Sequence, residues 1–103
     1  MYKTVLKDTP TNPEFNLENI LAIKSRVDSD LYTEEDLKTL DIFLSAVNLG
    51  GYILKNIKER GYGNYQNFLI KKNSHLDIFS EGFIVGVIKQ AVSILQGYIG
   101  TNI

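Results

Sequence analysis

Between Arg60 and His75 the chain interleaves cations with flat rings: Arg60, Tyr62, Tyr65, Phe68, Lys71, Lys72 and His75. Phosphates are bound by cationic or backbone N–H donors, and nucleobases by stacking surfaces. This stretch offers both, so Arg60, Tyr62, Tyr65, Lys71, Lys72 and His75 are candidate ligands for a small anionic molecule carrying an aromatic group. The competing reading is a solvated loop with its aromatic rings tucked beneath it.

Other constellations fail on chemistry. His75 is the single histidine and there are no cysteines, so no usual zinc set can be assembled and no metal is expected. Ser74, His75 and Asp77 lie on one helical turn, where neighbours cannot act as separately oriented nucleophile, base and orienter; capping is the expected role. The acidic cluster Asp28, Asp30, Glu34, Glu35 and Asp36 lacks the glycine and the closing glutamate of an EF-hand loop. It is expected to complement a helix dipole instead. Gly61 and Gly63 have no third glycine at Gln66 and no preceding parallel-strand pattern, so they do not form a dinucleotide fingerprint. The expectation is a binding protein without catalysis and without a cofactor.

Composition narrows the partners. The 103 residues are 44% hydrophobic and 22% charged, which predicts one globular domain over 1–103. Eleven Lys+Arg against 12 Asp+Glu give a formal net charge of -1, so no overall field gathers nucleic acid or an anionic membrane. The absence of cysteine suits a reducing cytoplasm, and neither a signal peptide nor a membrane span is expected.

The elements that must hold the candidate site follow from periodicity and caps. Residues 1–15 read as an N-terminal arm or brief edge strand, because Pro10 and Pro13 exclude a helix. A first helix runs from the N-cap Asn16 to about Val27, with Leu17, Ile20, Leu21 and Val27 at helical spacing. Thr33 with Asp36 has capping-box spacing, Tyr32 can staple onto Leu37, and the apolar positions continue to Arg60 before the terminator Gly61. That predicts a helix of roughly 28 residues, long for a globular domain. Gly50-Gly51 inside it requires a kink or break, or else a close approach by another backbone or a ligand. Gly61–Asn67 reads as loop, and Ser74 with Asp77 opens a further helix to about Tyr98. This last helix is apolar around most of its circumference, with Gly82 and Gly86 one turn apart, which predicts burial against a second subunit. The fold class is all-α: an antiparallel long-helix hairpin with a short N-terminal helix packed across it, assembled into a homo-oligomer.

Four segments carry a family resemblance: Thr33-Glu34-Glu35-Asp36-Leu37, Gly51-Tyr52-Ile53-Leu54 with Ile57, Ser80-Glu81-Gly82-Phe83-Ile84, and Lys89-Gln90-Ala91-Val92. From Thr33 onward the chain resembles the helical-hairpin cyclic-nucleotide sponges by which phages blunt CBASS and Thoeris immunity. The resemblance implies a non-enzymatic oligomer that sequesters a cyclic dinucleotide or a cyclic ADP-ribose type of signal in the host cytoplasm. No pocket residue carries over individually, so the ligand-binding candidates remain those between Arg60 and His75.

Asp30-Leu31, Glu34-Glu35 and the stripe to Ile57 are also similar to the small helical bacteriocin immunity proteins of Gram-positive bacteria. That alternative resemblance implies protection by protein–protein contact at the membrane.

Overall fold

The computed structural model describes residues 15–75 and 78–101. Within them the chain is all-helical: α1 (Leu17–Asp28), α2 (Glu34–Ser45), α3 (Tyr52–Glu59), α4 (Tyr65–Ser74) and α5 (Ile78–Thr101). The arm expected over 1–15 lies outside the described residues, apart from Phe15 at its end.

The first two helices start where their caps place them. The Asn16 side chain accepts the Asn19 N–H at 2.8 Å and opens α1. Thr33 and Asp36 form the reciprocal capping box, Asp36 N–H donating to Thr33 Oγ1 at 3.3 Å and Thr33 N–H to Asp36 Oδ2 at 3.1 Å. Asp36 also receives Arg26 in a two-pronged bond, Nε to Oδ2 at 2.9 Å and Nη2 to Oδ1 at 2.8 Å, which ties the end of α1 to the start of α2. That bond holds the guanidinium pKa above its ordinary value. Replacing Thr33 by Ala is expected to cost about 1 kcal/mol in urea unfolding while leaving ligand affinity nearly unchanged. A large affinity loss with little stability loss would show that Thr33 is a binding residue.

The helix expected from Thr33 to Arg60 is two helices. Asn48 takes the left-handed conformation, φ 64, and Leu49 N–H reaches back to Leu44 O at 2.8 Å, the wide closing bond of a Schellman motif. Gly51, at φ 74, then turns the chain into α3. A Cβ at Gly50 would sit 2.7 Å from Ser45 Oγ, so the two glycines have different reasons. One permits the turn, the other a close approach by the chain's own α2. Similar bonds close α1, with Asp30 left-handed and Leu31 N–H to Arg26 O at 2.8 Å, and α3, with Gly61 left-handed and Tyr62 N–H to Ile57 O at 3.2 Å.

Two further expectations are corrected. The loop expected from Gly61 onward yields α4, opened by Asn64, whose side chain accepts the Asn67 N–H at 2.8 Å. Ser74 closes α4 instead of opening the next helix: its Oγ donates back to Ile70 O at 3.1 Å and Lys71 O at 3.2 Å, and His75 follows at φ 56. Asp77, the other half of the expected box, lies outside the described residues, and α5 is described from Ile78 to Thr101.

α5 is the element every other helix packs against. Its stripe Ile84, Val87, Ile88, Ala91, Val92 and Leu95 is buried against Ile20, Ile23 and Val27 of α1, Leu37, Leu40, Phe43 and Leu44 of α2, and Ile53 and Ile57 of α3, in a single core. Phe15 stacks on Phe43 and Tyr98 at 5.0 and 5.9 Å and closes the far end of that core. Ile78–Ile99 is long and apolar enough to cross a membrane, with a mean hydropathy of 1.6.

Candidate functional site

The six candidate residues separate into two groups. Tyr62, Tyr65 and Lys72 are held inside the fold. Tyr62 is buried and packs edge-on against Phe68, ring centroids 5.3 Å apart. Tyr65 is half-buried and its hydroxyl donates to Asp41 Oδ2 at 2.5 Å. Burial first, and then that bond to a carboxylate, push its phenol pKa well above the ordinary tyrosine value. Lys72 is only 5% exposed. Its Nζ lies 3.0 Å from Asp30 Oδ1, 3.4 Å from Asn73 Oδ1 and 5.0 Å from the centre of the Tyr32 ring. This cation is a strut between α4 and the α1–α2 turn, with its stem packed away from water.

Arg60, Lys71 and His75 face solvent. Arg60 caps α3, and its guanidinium lies 3.8 Å from the centroid of the Phe83 ring on α5, a cation–π contact that joins the α3–α4 turn to the central helix. Lys71 is exposed on the last turn of α4. His75 follows it, with Nδ1 4.0 Å from Glu81 Oε1 on α5. Next to Phe83 the first turns of α5 expose Ile78 (69%) and Phe79 (83%). Arg60 is thus placed over a ring of α5, and Lys72 near the ring of Tyr32, rather than over the tyrosines of their own segment.

A polar floor lies beside Lys72 and His75. Tyr32 Oη and Glu81 Oε1 are both buried, and neither has a hydrogen-bond partner among the described residues. Burial, followed by the nearby charges of Asp30 and Glu81, raises the Tyr32 phenol pKa well above its usual value, which keeps it a neutral donor.

Two features escaped the sequence reading. Asp41, in mid α2, is 6% exposed and accepts three bonds: from Ile53 N–H at 2.9 Å, Leu54 N–H at 3.0 Å and the Tyr65 hydroxyl. Its partners are 12 to 24 positions away, so no local spacing announces it. The other is a groove of about 260 Å³ between α1 and α5, with Lys24 and Lys89 on its rim over Val27 and Val92. Lys24 bonds Asp28 Oδ2 at 2.8 Å, which lowers the Asp28 pKa. The one available signal was that Lys89 is the sole cation in α5.

Among the described residues no group of three or more His, Cys, Asp or Glu side chains is placed to hold a metal ion. The chain matches no family model, no curated protein and no solved structure.

Proposed function

We propose that the chain is a non-enzymatic binding protein that sequesters a small signalling nucleotide, of the cyclic dinucleotide or cyclic ADP-ribose type, at the end where Arg60 lies over Phe83. In this reading it works as a homo-oligomer in the cytoplasm of a host bacterium and blocks anti-phage immunity. α2 and α3 together form one arm of the hairpin, α5 the other, and α1 lies across them.

The observation that carries the proposal is the solvent-facing Arg60 guanidinium 3.8 Å from the Phe83 ring. A guanidinium stacked on a ring keeps its in-plane N–H donors directed outward and loses less side-chain freedom when it meets a phosphate. Lys71 and His75 are further exposed positive or donor groups at the end of α4, and a net charge of -1 provides no overall anion-attracting field.

Thermal unfolding with a panel of signalling nucleotides tests this. A ligand at 100 times its dissociation constant adds about 2.7 kcal/mol to stability, which shifts the midpoint of a domain this size by roughly 10 °C or more. Ligand released by heat denaturation is expected to be chemically unchanged. No shift with any nucleotide would overturn the ligand assignment, and an altered product would overturn the non-enzymatic one.

The bacteriocin-immunity alternative is favoured by the exposed apolar surface at Ile78 and Phe79, which suits protein contact. It predicts protection of producing cells against a bacteriocin and no affinity for nucleotides.

A further inference from the structure

α5 carries a broad exposed face. At 100° per residue, Phe79, Phe83, Gly86, Gln90, Ser93 and Gly97 project to one side of the helix, and all six are exposed. α5 has only two charged residues, Glu81 and Lys89, and the periodicity puts both off this face. A Cβ built at Gly86 or Gly97 would meet no atom within 4 Å. The face therefore has bulk at its N-terminal end and at Gln90, whose Oε1 accepts the Tyr52 hydroxyl at 3.3 Å, and small residues at Gly86, Ser93 and Gly97. It holds no charged residue of α5 itself; the Arg60 guanidinium over the Phe83 ring places a charge on it.

We propose that this face binds a second copy of the chain, α5 against α5 in antiparallel register about a twofold axis at position 88. The assignment rests on size. Reflected through that axis, Phe79 falls opposite Gly97, Phe83 opposite Ser93, and Gly86 opposite Gln90. In every pair a large residue faces a small one, and the same axis satisfies all three. Antiparallel twofold packing is isologous, so a face that is its own complement needs no further partner. Gly86 lies near the crossing point, where backbones approach, and the phenyl rings lie at both ends, where the helices diverge and Gly97 and Ser93 leave them room. A parallel pairing would set Phe79 on Phe79 and glycine on glycine, clashing at one end and leaving a gap at the other.

The area is adequate. With Phe79 83% and Phe83 44% exposed, the two rings leave on the order of 250 Å² open per copy. Covering them removes a similar area of receiving surface, so two copies bury on the order of 1,000 Å² before the helix ridge between them is counted, near the lower bound of a specific interface. Arg60 rides on Phe83 and so comes to the subunit junction, where two copies would present it twice.

This inference rests on the homo-oligomeric part of the proposed function and is tested without nucleotide. Sedimentation equilibrium of the full chain across a concentration series is expected to show a monomer–dimer equilibrium. Phe79→Ala is expected to weaken it roughly tenfold or more. Gly86→Leu is expected to abolish the dimer while the monomer keeps its helical content, because position 86 is exposed and a Cβ there meets no atom of its own chain within 4 Å. As the chain has no cysteine, an oxidised mixture of Gly86→Cys and Gln90→Cys chains reports the register: the mixed disulfide is expected to exceed either self-disulfide. A monomer at every concentration would overturn the proposal, as would a dimer indifferent to Gly86→Leu or equal yields of the three disulfides. So would a monomer that instead sediments with phosphatidylcholine vesicles, which would make the face a lipid contact. A dimer without nucleotide affinity would uphold this inference and remove the proposed ligand; a monomer that binds nucleotide would do the reverse.

Discussion

Replacing Asp41 by alanine is expected to cost about 3 to 5 kcal/mol of folding stability. The first N–H groups of a helix have no partners within it. At α3 the N-cap is Gly51, which has no side chain to offer. Asp41 reaches across from α2 to do this work, with Oδ1 on Ile53 N–H at 2.9 Å and Oδ2 on Leu54 N–H at 3.0 Å. The positive end of the α3 dipole favours the carboxylate there. The Tyr65 hydroxyl bonds the same Oδ2, so one side chain joins the starts of α3 and α4 to the middle of α2.

Alanine would strand two backbone donors and one phenol in a nearly closed corner. An ordinary exposed N-cap loses about 1 kcal/mol on truncation; here the buried Ile53 N–H adds its own desolvation cost, about 1 to 3 kcal/mol, and the part-buried Leu54 N–H and Tyr65 hydroxyl add less. Against a total stability of about 5 to 15 kcal/mol, the Asp41→Ala chain should show a greatly reduced urea midpoint with an unchanged slope. Asp41→Asn keeps an acceptor for one or two of the three donors and is expected to fall between. Tyr65→Phe with Asp41→Ala should cost less than the two changes taken singly and added, because the second removes a bond the first has already broken. A loss under about 1 kcal/mol for Asp41→Ala would mean that desolvation of the carboxylate cancels what its bonds contribute.

Asp41 also shows why part of the fold could be read from the sequence and part could not. Asn16, Thr33 with Asp36, and Gly61 act within one turn of themselves, so their spacing sufficed to place helix ends. The break after Ser45 was half legible. Gly50-Gly51 announced trouble, but the stop is made by Asn48 in a left-handed conformation, three positions earlier than the turn into α3. α4 has little apolar periodicity to announce it: Phe68 and the lysine Lys72 are its buried residues. Ser74 misled for a physical reason. A serine hydroxyl can accept from the N–H groups ahead of it or donate to the carbonyls behind it, and the spacing to Asp77 does not say which.

The same distinction divides the candidate site. Composition identified Arg60 to His75 as a place where cations and rings mix, yet Lys72 is held by Asp30 and Arg60 by Phe83, neither of them near in sequence. Long-range pairing decides which cations are structural and which remain at the surface.

For the ligand proposal the decisive variant is therefore Arg60→Ala. If Arg60 contacts a phosphate, its charge-assisted bonds contribute about 1.5 to 3 kcal/mol, and alanine should weaken nucleotide binding roughly 10- to 100-fold. Stability should hardly change, since an exposed cation–π contact is worth only about 0.5 to 1 kcal/mol. Arg60→Lys preserves the charge but loses the planar fork and the stacking, so an intermediate affinity is expected if geometry matters as well as charge. Phe83→Leu separates the remaining parts: it keeps an apolar side chain on α5 but removes the platform beneath the guanidinium, and should lower affinity with Arg60 still present. Lys72→Ala is the contrasting variant. It removes a buried stem from the Tyr32 ring and the strut to Asp30, so it should lower the unfolding midpoint and reduce affinity only as far as the fold loosens. Isothermal titration with whichever nucleotide stabilises the wild-type chain makes these comparisons. Should Lys72→Ala abolish binding in a fully folded protein while Arg60→Ala leaves it intact, the ligand would lie over the Tyr32–Glu81 floor and not on the α3–α5 surface.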